Sequence, residues 1–163
     1  MDYAHLPDRK RNRLTDYDYS SVGAYFVTIC TDQKRCLLSN ISYTTDYAPA
    51  NVMLTRSGKV VDEQINRISE KYPDIIVEKY VIMPNHIHIL FRIEHSSGKT
   101  ISDVIRFFKS TSSREIHRQF GAVELWQRSF HDHIIRTEEE YKHIWEYIDG
   151  NPSKWKDDCY CVP

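Results

Sequence analysis

Two histidines one residue apart, His86 and His88, are the side chains of this sequence whose types and spacing best fit metal chemistry. They lie in the apolar run VIMPNHIHILF, residues 81–91. Residues two apart on a β-strand point to the same face, so both imidazoles would project together, away from Ile87 and Ile89. Two imidazoles on one face can chelate a divalent ion. The alternative is a pair of histidines that are merely buried.

A second pair with the same spacing, His131 and His133, flanks Asp132. Geometry alone does not dismiss this pair as a metal site. An aspartate on the opposite face indicates an edge or solvent-facing strand, whereas the apolar neighbours of the first pair indicate a dry and rigid strand. We therefore favour His86 and His88 as the metal ligands.

A candidate nucleophile lies on the last predicted helix. At about 100° per residue, the apolar positions of this helix form one stripe: Tyr141, Ile144, Trp145 and Ile148. Tyr147 falls roughly 110° from the centre of that stripe, and Asn151, one turn later, lies near it. A tyrosine outside the core stripe, next to an amide that can bind a metal, is a candidate for covalent catalysis. The alternative is a tyrosine at the boundary of the core with no chemical role.

The elements that would position these residues alternate between strands and helices. We expect strands at 24–31, 75–83, 86–93 and 129–135, and helices from Thr55 to the residues before Pro73, from the cap at Thr100, and from the cap at Thr137 to Asn151. Residues 33–54 have a mixed pattern, in which 36–38 could continue a hairpin. The order β-α-β-β-α-β predicts an α+β fold, a ferredoxin-like antiparallel sheet with helices on one face. The extra C-terminal helix would carry the tyrosine.

Length and composition indicate one domain at residues 1–163, with a basic N-terminal arm at 1–20 and a short tail at 156–163 that Trp155 and Tyr160 could dock. The chain is 40% apolar and 28% charged, which excludes a disordered or fibrous class. Its four cysteines lack CxxC spacing and are expected to be reduced thiols. No apolar run approaches the ~18 residues of a membrane span, so we expect a cytoplasmic protein with no membrane partner.

Basic residues are segregated along the chain although the net charge is −1. Between residues 99 and 118, five Lys and Arg stand against two acids, a local balance of +3. A nucleic-acid surface needs such a local excess rather than a basic total. The candidates for contacts with DNA phosphates are three residues of the second predicted helix and three of the arm: Arg106, Lys109, Arg114, Arg9, Arg11 and Arg13. The alternative for both segments is an ordinary solvated surface.

The segment MPNHIHIL resembles the HUH motif, histidine-hydrophobic-histidine, of single-strand DNA transposases that carry one catalytic tyrosine, in particular the REP-associated tyrosine transposases. Four further segments resemble that family in the same order: RLTDYDYSSVGAYFVTICT, FFKSTSSREI, WQRSFHDHIIRTEEEY and YIDGNPSKW. The resemblance covers about residues 13–155, and several ordered motifs are far more specific than one HxH. Two features depart from it. His131 stands where many relatives carry an aromatic residue, and the tail after Trp155 is short, which weakens any role for it in ordering the site.

The resemblance implies an activity and assigns roles to residues. His86 and His88 match the metal-binding histidines, Tyr147 matches the nucleophile, and Asn151 stands where relatives place an amide ligand. The implied cofactor is Mg²⁺ or Mn²⁺, acting on the charge that develops at the scissile phosphate. The implied substrate is single-stranded DNA beside a hairpin, cleaved to a 5′-phosphotyrosine and a free 3′-hydroxyl, with rejoining by the reverse step. A homodimer is one implied assembly, and a monomer is the alternative.

Two other functional interpretations stay open at the level of sequence. The first is a domesticated or inactive relative that binds hairpin DNA without cleaving it. The second is a ferredoxin-like small-molecule or structural module whose histidines are simply buried. Metal binding and the formation of a protein–DNA adduct distinguish these interpretations from a transposase.

Overall fold

The computed structural model describes residues 21–44, 49–96 and 98–161. The strands and α-helices in this part of the chain are, in order, β1 (Gly23–Cys30), β2 (Ser39–Ser42), β3 (Asn51–Leu54), α1 (Arg56–Asn66), α2 (Ile68–Lys71), β4 (Ile75–Ile82), β5 (His86–Ile93), α3 (Ile101–Phe120), β6 (His131–Ile135) and α4 (Glu138–Gly150). Two short 3-10 helices, Asp32–Lys34 and Pro152–Asp157, follow β1 and α4. No helix among the described residues is long and apolar enough to cross a membrane.

Four strands form an antiparallel sheet in the order β4-β5-β1-β6. This order, with helices between the strands, confirms the predicted α+β, ferredoxin-like arrangement. The inner strands β1 and β5 pair along their whole length, from Gly23 opposite Ile93 to Cys30 opposite His86. The strand that carries the histidines therefore lies in the middle of the sheet. β6 lies at the edge, as expected for a strand with Asp132 among its residues.

The helices α1 and α3 cover one face of the sheet. Ile87 and Ile89 of β5 pack there against Val61 of α1 in the main apolar core. Five residues of α3 that recur at three- and four-residue spacing are all buried: Ile101, Ile105, Phe108, Ser112 and Ile116. The predicted cap is present as well, because the Thr100 hydroxyl accepts from the Asp103 N–H while the Asp103 carboxylate accepts from the Thr100 N–H. Local capping and apolar periodicity thus specify this layer.

The opposite face of the sheet carries α4. Ile144 and Ile148 of α4 pack with Leu90 of β5 in a second, smaller apolar cluster. The Tyr141 hydroxyl donates a hydrogen bond of 2.6 Å to Oε2 of Glu78, on the edge strand β4. The helix that carries Tyr147 is thus attached to the same face of β5 as the histidine side chains.

The hairpin β2–β3 fills the region of mixed pattern and packs tightly against α1. The Leu38 carbonyl accepts a hydrogen bond of 2.9 Å from the Thr55 N–H, and the Thr55 hydroxyl caps α1 by accepting from the Gly58 N–H. A Cβ atom on Gly58 would lie 1.9 Å from the carbonyl oxygen of Leu38. Only glycine permits this approach of the two backbones.

Two boundaries differ from the prediction by more than one residue. The last sheet strand begins at His131 rather than at Ser129, whose carbonyl accepts a hydrogen bond of 2.9 Å from Nζ of Lys109. The first helix ends at Asn66, and the one-turn helix α2 follows it separately.

Candidate active site

The side chains of His86 and His88 lie on the α4 face of β5, with 0% and 1% of their surface exposed. Their Nε2 atoms are 3.1 Å apart. Ile87 and Ile89 point into the main core on the other face. Because side chains alternate between the two faces of β5, the two imidazoles lie together, as the spacing of two residues predicts.

Each imidazole is held through its other ring nitrogen. Nδ1 of His86 lies 2.9 Å from Oδ1 of Asn85, the residue before it. Nδ1 of His88 lies 2.8 Å from Oγ1 of Thr28, the residue directly opposite it on β1. Partners at Nδ1 fix the orientation of both rings and leave the two Nε2 atoms to face each other.

Both histidines are neutral at neutral pH. Burial lowers the pKa of His86 from 6.5 to about 3, assisted by the charge of Lys34. Burial also lowers the pKa of His88 to about 3, assisted by His86. Because a metal ion binds the unprotonated imidazole, this environment prepares both rings to act as ligands.

A carboxylate that sequence reasoning missed completes this group. Asp158 has a side chain that is only 3% exposed, and its Oδ2 lies 4.0 Å from Nε2 of His86. The ligand atoms of His86, His88 and Asp158 all lie within 4.8 Å of one another, the one such group of three or more found in the described part of the chain. The Tyr160 N–H donates a hydrogen bond of 2.8 Å to Oδ1 of Asp158 and so holds the carboxylate. The only signal in the sequence was an acidic residue close to the aromatic residues of the tail.

Asn151, the predicted third ligand, lies beside this group at the end of α4. Its side chain is buried, and Oδ1 has no hydrogen-bond partner among the described residues. The amide interacts with His86 and with Tyr147. Burial lowers the pKa of His86 and raises that of Tyr147, and the interaction with the amide opposes both shifts. A buried oxygen without a partner is costly, and a cation would satisfy it. Two imidazole nitrogens, a carboxylate and an amide oxygen form a donor set that fits a divalent ion.

Tyr147 lies at the exposed side of the histidine pair. Its hydroxyl oxygen is 3.5 Å from Nε2 of His88, and its ring meets the His88 ring edge-on, with centroids 5.3 Å apart. Tyr147 is 37% exposed, and its ring also contacts Phe26, which stacks on His88. Burial, and after it the charge of Asp158, raises the pKa of the Tyr147 phenol. The predicted nucleophile and the predicted metal ligands thus occupy one location.

The tail packs directly on the site, although its shortness argued against such a role. The ring centroid of Tyr160 is 4.5 Å from that of His86, and the centroid of Trp155 is 6.0 Å from it. Burial raises the pKa of Tyr160 to about 12. Lys34 places its Nζ 5.4 Å from the centre of the Tyr160 ring. The segment after α4 thus forms one wall of the site.

The second histidine pair is placed differently. His131 and His133 are exposed on the edge strand β6, and Nε2 of His133 lies 2.5 Å from Oε1 of Glu140. Glu140 also accepts from the Arg136 N–H at the start of α4. His133 therefore binds a residue in the first turn of α4 and does not belong to the metal-ligand group.

The predicted DNA-contacting residues of α3 do not border the histidines. Arg106 and Arg114 are exposed on α3, which covers the other face of the sheet, and Arg106 lies 3.2 Å from Asp103. Lys109 is half-buried and donates to backbone carbonyls, and burial lowers its pKa to about 8. This environment favours a structural role for Lys109. Three predicted residues of the arm lie outside the described residues: Arg9, Arg11 and Arg13.

Comparison with known proteins agrees with the HUH motif. Residues 50–151 match the family model described as "Transposase IS200 like". The chain is 32% identical over 175 residues to an uncharacterized protein of Haemophilus influenzae, with 95% of this chain and 94% of that protein covered. It is 26% identical over 106 residues to a REP-associated tyrosine transposase of Escherichia coli, with 63% and 58% covered.

The fold is similar to that of a solved REP-associated tyrosine transposase bound to a REP hairpin. The TM-score is 0.62 at 23% identity, with 86% of this chain and 74% of that chain covered. The match of the family model includes both histidines and Tyr147. From its sequence and its fold, the chain belongs to the IS200-like transposase family.

Proposed function

We propose that this protein is a metal-dependent endonuclease and strand transferase that acts on single-stranded DNA through Tyr147. The observation that carries the proposal is the position of the Tyr147 hydroxyl, 3.5 Å from Nε2 of the buried His88. A nucleophile at the open side of a buried, neutral histidine pair can reach a phosphate that an ion bound to the pair would polarise.

His86 and His88 are the proposed protein ligands of the ion, with oxygen atoms of Asp158 and Asn151 beside them. Carboxylate and amide oxygens suit Mg²⁺ and Mn²⁺ and shift the donor set away from one that favours Zn²⁺. When bound, the ion would supply positive charge next to a non-bridging oxygen of the scissile phosphate. The role of the protein is to hold the ligands rigid and to exclude water from the pair.

In the proposed step, Oη of Tyr147 forms a bond to phosphorus as the bond from phosphorus to the 3′ oxygen breaks. The products are a 5′-phosphotyrosine and a free 3′-hydroxyl. The phenol loses its proton and the leaving oxygen gains one. Because one phosphate ester bond replaces another, the bond energy is retained in the phosphotyrosine, and the step can run in reverse to join strands without ATP. Because burial and Asp158 raise the pKa of Tyr147, ionisation of the phenol has to coincide with the arrival of positive charge nearby.

The proposed substrate is single-stranded DNA beside a hairpin, supported by the relative whose structure contains a REP hairpin. Arg106 and Arg114 would contact phosphates away from the catalytic centre, and the arm with Arg9, Arg11 and Arg13 would add to them. Tyr147 and His88 approach each other within one chain, which supports a site complete in a monomer. We place this activity in the cytoplasm.

A labelled single-stranded DNA with a hairpin tests the proposal. With Mn²⁺ we expect a protein–DNA adduct that survives SDS, and Tyr147→Phe should abolish it. Tyr141→Phe is the matched control, because the Tyr141 hydroxyl bonds to Glu78 on β4 and not to the histidines. An adduct that persists in Tyr147→Phe and disappears in Tyr141→Phe would refute the assignment of the nucleophile.

One observation favours a second candidate, a protein that binds hairpin DNA without cleaving it. Asp158 and Tyr160 pack against the histidines and occupy space next to the reacting groups. Salt-sensitive binding of the hairpin, with no adduct under Mg²⁺ or Mn²⁺, would support this candidate.

A further inference from the structure

The side-chain amide of Asn85 has an orientation that its hydrogen bonds determine. Nδ2 lies 2.7 Å from the carbonyl oxygen of Tyr160 and 3.1 Å from that of Lys34. Carbonyl oxygens only accept hydrogen bonds, so the amide group that faces them has to be the NH₂. Oδ1 therefore faces His86, at 2.9 Å from Nδ1. If the amide were reversed, its oxygen would face the carbonyl oxygens of Tyr160 and Lys34, and neither hydrogen bond could form.

This orientation selects one form of His86. Oδ1 of Asn85 can only accept, so Nδ1 of His86 has to carry a proton and donate it. In the neutral ring Nε2 then carries the lone pair. The same Nε2 faces His88 and Asp158, at 3.1 Å from Nε2 of the former and 4.0 Å from Oδ2 of the latter. It is the atom that a cation in this group would need.

His88 has a different kind of partner. With a lone pair on Nε2 of His86, the hydrogen bond of 3.1 Å between the two rings requires a proton on Nε2 of His88. Nδ1 of His88 then accepts from the Thr28 hydroxyl, which lies 2.8 Å away. A hydroxyl can also accept, so His88 can move its proton to Nδ1 when an ion binds, without losing this partner. His86 cannot move its proton in this way, because Oδ1 of Asn85 can only accept a hydrogen bond and so keeps the proton on Nδ1.

Asn85 itself is fixed by its surroundings. It is fully buried in the turn between β4 and β5. The backbone carbonyl oxygen of Asn85 accepts hydrogen bonds from the N–H and the hydroxyl of Thr31, at 2.9 and 3.0 Å. The amide thus connects three segments, namely the turn, the residues after β1 and the tail.

We propose that Asn85 is a positioning residue that holds His86 as the Nδ1–H tautomer and so presents the Nε2 lone pair to the catalytic ion, with the Tyr160 carbonyl of the tail fixing the amide. This inference rests on the proposed metal site at His86 and His88. It adds a residue that acts through a ligand without touching the ion. The metal-free protein therefore holds opposite tautomers at the two histidines, Nδ1–H at His86 and Nε2–H at His88.

Long-range ¹H–¹⁵N correlation spectra of the histidine rings, recorded on the metal-free, DNA-free full chain, test the tautomers directly. We expect a protonated Nδ1 and an unprotonated Nε2 at His86, assigned by the loss of its signals in His86→Gln. In Asn85→Ala this preference should disappear, and the affinity for Mn²⁺, measured by calorimetry, should fall about 10–100-fold. Asn40→Ala, an exposed asparagine on β2, should change neither quantity.

Asn85→Asp keeps the test decisive if Asn85→Ala does not fold. A carboxylate still accepts from Nδ1 of His86 but repels the two backbone carbonyls, so the tautomer should persist while the tail loosens. An Nε2–H tautomer at His86 in the wild-type protein, or an unchanged tautomer and Mn²⁺ affinity in Asn85→Ala, would overturn the inference. If the wild-type protein bound no Mn²⁺, the proposed function would fail instead, and the spectra would still decide whether Asn85 sets the tautomer.

Discussion

The hydroxyl oxygen of Tyr147 lies 3.5 Å from Nε2 of His88, although 59 residues separate the two in sequence. β5 supplies the histidine and α4 supplies the tyrosine, and both belong to the same chain. Both halves of the proposed chemistry therefore lie together within a single chain.

A complementation experiment tests this arrangement. Tyr147→Phe and His88→Ala should each lose adduct formation, and mixing the two variants should not restore it, because each chain lacks one half of its own site. SDS gels of the labelled DNA give the measurement. Restored adduct on the His88→Ala chain would mean that the tyrosine of one subunit works with the histidines of another.

Asp158 should contribute to metal binding. Asp158→Asn removes the carboxylate charge next to His86, so the affinity for Mn²⁺ should fall by at least about 10-fold in calorimetry. Asp157→Asn is the matched control, because Asp157 is exposed and one residue away. If Asp158→Asn binds Mn²⁺ normally while Asn151→Ala does not, the amide is the third ligand and the carboxylate is not.

Acid should destabilise the fold through the two histidines. Their pKa values fall from 6.5 to about 3 on folding, so between these values the unfolded chain binds more protons than the native one. The free energy of unfolding should therefore decrease as the pH falls from 6.5 towards 3, by about 1.4 kcal/mol per pH unit for each histidine.

Urea denaturation of wild type and His86→Gln between pH 7 and pH 4 measures this slope. The variant should show a shallower dependence, since one of the two groups no longer titrates. His143→Gln, an exposed histidine of α4, should retain the wild-type slope. Equal slopes in wild type and His86→Gln would contradict the predicted pKa shift.

Gly58→Ala should destabilise the protein although alanine is the better helix former. A Cβ there would lie 1.9 Å from the backbone oxygen of Leu38, so α1 and the β2–β3 hairpin would have to separate. We expect a loss of about 1–3 kcal/mol in the free energy of unfolding. Gly150→Ala is the control, because nothing lies within 4 Å of its Cβ position, and this substitution should be neutral or stabilising by up to about 1 kcal/mol. Stabilisation by Gly58→Ala would contradict the close approach.

Periodicity predicted the parts of the site that depend on a single element. The spacing of two residues placed His86 and His88 on one face of β5, and the spacing along α4 separated Tyr147 from the core stripe. Asp158 could not be found this way, because its position depends on the path of the chain after Pro152 and on the contact of Tyr160 with His86.

The contacts of Lys109 likewise could not be predicted from the sequence. Its charge and its place on a basic helix predicted a contact with DNA, which stays a prediction, but they did not indicate that its Nζ donates to the carbonyls of Gln127 and Ser129. Nothing local to α3 indicates which loop will cross it. Contacts between segments far apart in sequence are set by tertiary packing, which propensity and spacing do not specify.

The pairing of β1 with β5 places Thr28 opposite His88 and leaves Ile87 and Ile89 in the main core. One extra or missing residue within β5 would turn every side chain beyond it to the other face, driving an imidazole into the apolar layer and leaving an isoleucine where an ion should bind. Stability and chemistry would be lost together. We therefore expect this strand to accept substitutions during evolution but not insertions or deletions, which the loops on either side of it can absorb.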